Sequence, residues 1–175
     1  MLFEYINLLI GIIKLILYKI IYFNRIYFKG IPKMNNGFHF AIKRKSTLNM
    51  GRKFRTRYNV SFRVYDGGKI NIGDNCFLND GCSINCHDEI DIGNNVICGQ
   101  NVMIFDHDHD YKNDMTKFVT NKVKIGNNIW IGANVTILKG VTIGDNVVIG
   151  AGNTISKDIE NNTIYISENR IKKKV

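Results

Sequence analysis

Ile125-Gly-Asn-Asn-Ile-Trp-Ile-Gly-Ala-Asn-Val-Thr-Ile-Leu-Lys-Gly-Val-Thr-Ile-Gly-Asp-Asn-Val-Val-Ile-Gly-Ala-Gly152 repeats one pattern every six residues: a β-branched residue opens each unit, and Gly, Asn or Asp follow. Isoleucine holds the opening position at Ile125, Ile131, Ile137, Ile143 and Ile149, and the pattern continues to Ile155. A fixed short period of this kind signals a repeat architecture and takes precedence over element-by-element assignment. β-Branched residues suit a short strand, and Gly, Asn and Asp tolerate the left-handed backbone of a tight turn. Three such units would close a triangular coil of about 18 residues, and stacked coils would pair like strands and fill the bore with Ile and Val. The first and fifth positions of each unit are expected to point inward, as with Ile131 and Val135 or Ile143 and Val147.

The same rhythm runs upstream through Ile72, Leu78, Ile84 and Ile90, slips by two residues, and continues through Ile92, Cys98 and Ile104. It stops at Ile104-Phe-Asp-His-Asp-His-Asp-Tyr111 and restarts at Ile125, so residues 105–124 read as a loop thrown out of a regular coil.

Composition narrows the partners. The formal charge of +9 over 175 residues favours an anionic partner: nucleic acid, phospholipid headgroups or a phosphate-bearing cofactor. Nucleic acid is not expected, because no recognition helix, zinc finger or aromatic RNA-binding signature is present. Cys76, Cys82, Cys86 and Cys98 lack paired CxxC spacing, and three of them fall at first or fifth positions, which predicts packed, reduced thiols.

Residues 1–30 form a separate apolar segment. Lys14 and Lys19 interrupt it, so it lacks the ~20 clean apolar residues of a spanning helix, and no A-x-A-like site marks a cleaved signal peptide. On a helix, Glu4, Asn7, Gly11, Lys14 and Tyr18 fall on one narrow stripe, and nearly everything else is apolar. Such a helix must bury most of its surface, in a protein groove or flat in a membrane interface through residues 1–28, with Arg25, Lys29 and Lys33 beside an anionic leaflet. Residues 31–66 read as irregular, basic first coils, 67–165 as the repeat domain, and 166–175 as a basic tail.

The run from Ile125 to Gly152 resembles the hexapeptide-repeat acyltransferases with a left-handed parallel β-helix. Among them it is similar to maltose, galactoside and capsule or lipopolysaccharide O-acetyltransferases, over roughly Gly67 to Thr163. The resemblance implies an all-β, left-handed β-helix, a homotrimer, acetyl-CoA as co-substrate and a sugar or glycan acceptor, which could be lipid-linked. The expected location is the cytoplasm, and residues 1–28 with the cations that follow them place the enzyme at the inner face of the membrane.

Moving an acyl group from a thioester to a hydroxyl requires a base, an oxyanion donor and a slot for the acyl carrier. Histidine suits the base because it titrates near neutrality. In the family the catalytic histidine protrudes at the interruption, which leaves His107 or His109, with Asp106 the first candidate to orient an imidazole. On an extended segment both histidines project to one side and Asp106, Asp108 and Asp110 to the other. A His-x-His strand can also present two imidazoles to zinc, with His87 approaching from another coil, but no third ligand sits at a matching position and no metal is expected.

Asn79 matches a family asparagine of the acceptor pocket, and His87 stands where related enzymes carry a carboxylate; both are substrate-side candidates, and Asn79 equally reads as a turn residue. Trp130, an outward tryptophan, is a candidate on both the substrate and cofactor sides. The resemblance places the cofactor along Trp130, Gly132, Ala133, Gly150, Ala151, Ser156 and Lys157, with Arg170 by looser analogy. The usual closing Gly-x-Pro-Ala segment is missing here. Acetylation of an amino-sugar nucleotide and a metal-dependent enzyme resembling the γ-type carbonic anhydrases are the alternatives.

Overall fold

The computed structural model describes residues 2–65, 67–166 and 173–174. The chain from Ile26 winds as a three-sided parallel β-solenoid, with sheets of six, eight and six strands among the described residues and a separate two-stranded sheet. The first sheet begins at Ile26–Phe28, the second at Lys33–Met34 and the third at His39–Ile42, so the basic segment before Gly67 already supplies strands to all three. Parallel pairs keep like residues in register, as in Met50 beside Ile72 and Ile72 beside Ile92. At the far end an antiparallel strand, Lys173–Lys174, is laid against Thr163–Tyr165.

Asparagine builds one corner. Asn75, Asn95, Asn128, Asn146 and Asn162 all have φ between 55° and 60°, a region Asn enters at low cost because its short amide bonds locally. Each amide donates to the next at 2.9–3.0 Å, an unbroken ladder along the solenoid. Close approach of successive coils there also excludes side chains: a Cβ on Gly93 would meet the Gly126 oxygen at 2.4 Å.

Successive coils advance by 22, 20, 33, 18 and 16 residues. The 22-residue coil has two more residues between Val64 and Lys69 than the next has between Cys86 and Glu89, and both exceed 18 because their third-sheet strands, Ser61–Val64 and Ser83–Cys86, run to four residues. That extra length is the two-residue slip before Ile92. The 33-residue coil holds the insertion, yet Ile92 still pairs with Ile125 as if it were absent.

The bore is filled as the rhythm predicts: Ile131, Val135, Ile143 and Val147 are all at most 1% exposed. Where coils are long, aromatic rings fill it, with Phe38, Phe40, Phe54 and Phe62 fully buried and neighbouring centroids 5.2–6.3 Å apart. Each such side chain contributes roughly 1.5–3 kcal/mol on burial. The four cysteines are free and buried.

The helix Leu2–Ile21 lies across the open amino-terminal end, and it does so by its polar stripe. The edge strand His39–Ile42 has no coil before it, so alternate carbonyls there lack strand partners. Lys14 donates to Phe38 O at 2.6 Å, Tyr22 to Phe40 O at 3.1 Å and Arg25 to Ile42 O at 3.2 Å, while Lys19 bonds Ile26 O. Gly11 lets the helix sit against Met34. Asn7 and Leu15 are buried there and Tyr18 packs on Phe38 and Phe40. The apolar faces are not buried against the solenoid but turned outward, with exposures from 41% at Ile10 to 76% at Leu2.

Candidate active site

The insertion is a β-hairpin. Strand Met103–Phe105 belongs to the third sheet, between Ser83–Cys86 and Thr136–Ile137. After Asp106 the chain leaves as His107–Asp110, turns, and returns antiparallel as Asp114–Thr120 before rejoining the first sheet at Val123–Ile125. Asp110 holds the turn by accepting from the Asn113 backbone and side-chain amides at 3.2 and 3.0 Å. Strand alternation sends both histidines to one side, where they meet Phe118 at 5.2 and 4.6 Å between ring centroids. Asp108 points the other way and pairs with Lys139 at 2.9 Å.

The two histidines differ in what lies behind them. Asp106 is 0% exposed, and its Oδ1 stands 2.9 Å from His107 Nδ1. The same carboxylate accepts from the backbone amides of His87 at 2.8 Å and Asp88 at 2.7 Å and from Cys86 Sγ at 3.2 Å. Burial pushes this carboxyl up, but the bonds from His107 and the two amides outweigh it and hold it below its ordinary value. Asp106 is therefore a buried anion that fixes the imidazole with the proton on Nδ1, leaving Nε2 as the acceptor. His109 is exposed, and its Nδ1 donates only to the Met115 carbonyl at 2.7 Å.

His87 completes a cluster around His107. Its ring stacks on Tyr65 at 3.9 Å, and lies 4.0 Å from His107 and 4.2 Å from Phe118. Its buried Nε2 has no hydrogen-bond partner among the described residues. Burial, reinforced by His107 and opposed by Asp106, pushes its pKa down to about 4, so the ring is neutral near pH 7. Tyr65, Phe118 and Lys139 were not anticipated. Register holds the signal for Tyr65: Val64 pairs with Cys86, which sets Tyr65 beside His87 at the same corner.

A second set assembles elsewhere. Asn79, Trp130, Gly132, Ala133, Gly150 and Ala151 line one groove on the second sheet, together with Phe77 and Ile97. Trp130 lies on the outer face between Ile97 and Val148 and is 58% exposed. Gly132 keeps the groove floor flat, since a Cβ there would meet Ala151 N at 2.5 Å. Asn79 Oδ1 accepts from Asp80 N at 2.9 Å, a turn contact. Asn79 and His87 are thus separated. Ser156 and Lys157 stand exposed past strand Thr154–Ile155, outside the groove, and Arg170 lies outside the described residues. The third sheet separates the groove from the histidine corner, so the two face apart on one chain.

Residues 122–157 match the family model for bacterial transferase hexapeptide (six repeats). A maltose O-acetyltransferase from Clostridium difficile 630 is 32% identical, covers 84% of this chain and 69% of that one, and superposes with a TM-score of 0.59. The chain belongs to the hexapeptide-repeat acyltransferase family. WbbJ of Escherichia coli (strain K12), named as a lipopolysaccharide biosynthesis O-acetyl transferase, is 27% identical over 135 residues, covering 70% of this hexapeptide-repeat chain and 69% of WbbJ. A hexapeptide-repeat-containing acetyltransferase from Vibrio cholerae O1 biovar eltor, complexed with acetyl coenzyme A, is 28% identical over 59% of this chain and 58% of that one, with a TM-score of 0.54. The chain spans 50% of the length of two galactoside O-acetyltransferases that it also resembles.

Proposed function

We propose that this hexapeptide-repeat protein transfers acetyl from acetyl-CoA to a hydroxyl of a sugar or surface-polysaccharide precursor, as a homotrimer, with His107 as general base. The observation that carries the reading is the buried Asp106 carboxylate fixed on His107 Nδ1, because it leaves Nε2 to accept a hydroxyl proton. His107 takes that proton as the hydroxyl oxygen attacks the thioester carbonyl. The tetrahedral oxyanion collapses, the C–S bond breaks, and the coenzyme A thiolate takes the proton back from the imidazolium. A backbone N–H at the coil edge is the oxyanion donor.

The groove around Trp130 suits the acyl carrier, since its small corners expose backbone amides and its tryptophan offers an apolar wall. The separation of groove and histidine supports the trimer: a neighbouring copy must bring its groove to this histidine. The maltose and lipopolysaccharide O-acetyltransferases among its relatives support a sugar hydroxyl as acceptor.

The test is release of coenzyme A thiol from acetyl-CoA against a panel of glycan acceptors, with His107→Ala and His109→Ala assayed separately. Loss of 10²- to 10⁴-fold is expected for His107→Ala, with little change for His109→Ala. An unslowed His107→Ala enzyme overturns the assignment, and transfer to amino sugars alone overturns the hydroxyl acceptor.

A further inference from the structure

The amino-terminal helix is inside out, and its surroundings say what covers it. Lys14 and Lys19, the cations that interrupt its apolar sequence, are drawn inward onto the carbonyls of Phe38 and Ile26. The outward face left behind carries Leu9, Ile13, Ile16, Leu17, Ile20 and Ile21, each more than half exposed and none charged. Phe23 and Ile31, 71% and 75% exposed, extend the apolar surface beyond the helix. Among the described residues no helix is long and apolar enough to cross a membrane. The helix is held along its length by the first coil, so whatever it enters, it enters sideways.

Charge identifies the partner. Between Tyr5 and Tyr65 the chain has 13 Lys and Arg and no Asp or Glu, whereas 14 of its 15 acidic residues lie from Asp66 onward. The end of the solenoid that bears the helix is therefore strongly cationic although the rest is slightly anionic. Lys29, Lys33, Lys43, Arg44 and Lys45 are exposed on the first coil, beside the helix it supports. A second copy of this chain docking there would bring two such ends together against their mutual repulsion. An anionic lipid surface satisfies both features, accepting the apolar face among its acyl chains and the cations among its headgroups.

We propose that Leu2–Phe23 is an in-plane membrane anchor, which seats the cationic end of the solenoid on an anionic bilayer. The inference is independent of the acetyl-transfer reading. Full-length protein is floated with vesicles of phosphatidylcholine alone or with about a third phosphatidylglycerol. Binding is expected on the anionic vesicles, at least 10-fold weaker on the neutral ones, since each nearby cation is worth about 1 kcal/mol. Ile13→Ser/Leu17→Ser/Ile20→Ser should lose flotation while keeping the far-ultraviolet dichroism and the oligomeric mass by light scattering. Lys43→Glu/Arg44→Glu/Lys45→Glu, which leaves the apolar face intact, should weaken anionic binding by at least 10-fold. Wild-type protein that stays in solution, or that binds both vesicles equally, overturns the proposal. So does a fall in oligomeric mass of the triple Ser variant with flotation retained, which would make the face a subunit contact.

Discussion

Asp106 stands directly behind His107, wholly buried, with its Oδ1 2.9 Å from the imidazole Nδ1. Two backbone amides and a thiol bond the same carboxylate, so it is both an orienting group and a structural anchor for the corner that precedes the hairpin. Asp106→Asn keeps the shape but removes the charge and one acceptor oxygen. Transfer should fall on the order of 10²-fold, and melting should drop by an amount equivalent to about 1–3 kcal/mol for the hydrogen bonds left unmade. Thiol release and thermal unfolding read the two effects separately, and an unchanged rate would detach Asp106 from catalysis.

His87 predicts a pH dependence. Its folded pKa of about 4 lies below the ordinary 6.5, so between those values the unfolded chain takes up a proton that the folded one refuses. Stability should therefore fall as pH drops from 6.5 toward 4. Between pH 6.5 and 5, where ordinary carboxylates titrate little, His87→Gln should flatten the fall in Tm. Asp106 acts in the same direction at lower pH: its depressed pKa stabilises the fold above the usual carboxylate range, and that contribution is lost as pH falls through the folded value.

Trp130→Ala should raise the KM for acetyl-CoA on the order of 10-fold, since one ring stacked in such a groove is worth ~1–1.5 kcal/mol. The side chain is more than half exposed, so Tm should change by an amount equivalent to less than about 0.5 kcal/mol. Initial rates over a range of acetyl-CoA concentrations decide it.

Gly11→Ala tests the seat of the helix. Alanine favours the helix by up to about 1 kcal/mol, but its Cβ would lie 1.9 Å from the Met34 carbonyl oxygen. That contact with fixed backbone outweighs the propensity, so the helix must shift off the first coil. Faster proteolysis between Tyr22 and Arg25 is expected, with the solenoid core still resistant. Unchanged cleavage would show that the helix takes the added methyl group without leaving the first coil.

Period and turn chemistry made the solenoid legible, because six-residue spacing of Ile125 to Ile155 leaves no other way to bury one face per unit. They also located the hairpin, as the place where spacing fails. Choosing between His107 and His109 lay beyond them: two residues apart on a strand, both face the same side. What distinguishes them is the partner behind each ring, the buried Asp106 carboxylate for His107 and the Met115 carbonyl for His109. Asn79 and His87 are near in sequence, yet the chain turns a corner between them and puts them in different sites. Phe118 arrives from the returning strand, whose pairing register no repeat specifies. Which side of the helix meets the solenoid was not legible, for a physical reason. Apolar patterning assumes an apolar seat, whereas the end of a parallel coil offers a row of carbonyl oxygens, and the polar stripe answers them.

The register of the third sheet also makes the solenoid a ruler. His39–Ile42, Ser61–Val64, Ser83–Cys86 and Met103–Phe105 stack as neighbours, and each step is about 4.8 Å. The corner that bears His107 thus stands about 14 Å beyond the first coil, with a helix of roughly 10 Å across beneath it. On a bilayer, with the helix itself sunk about 5–10 Å into the headgroup boundary, that stack would hold the histidine roughly 15–20 Å from the lipid surface. Acceptors carried on a lipid would then be selected by reach as well as by chemistry, and inserting or deleting one coil below the hairpin would move the selected sugar along its chain.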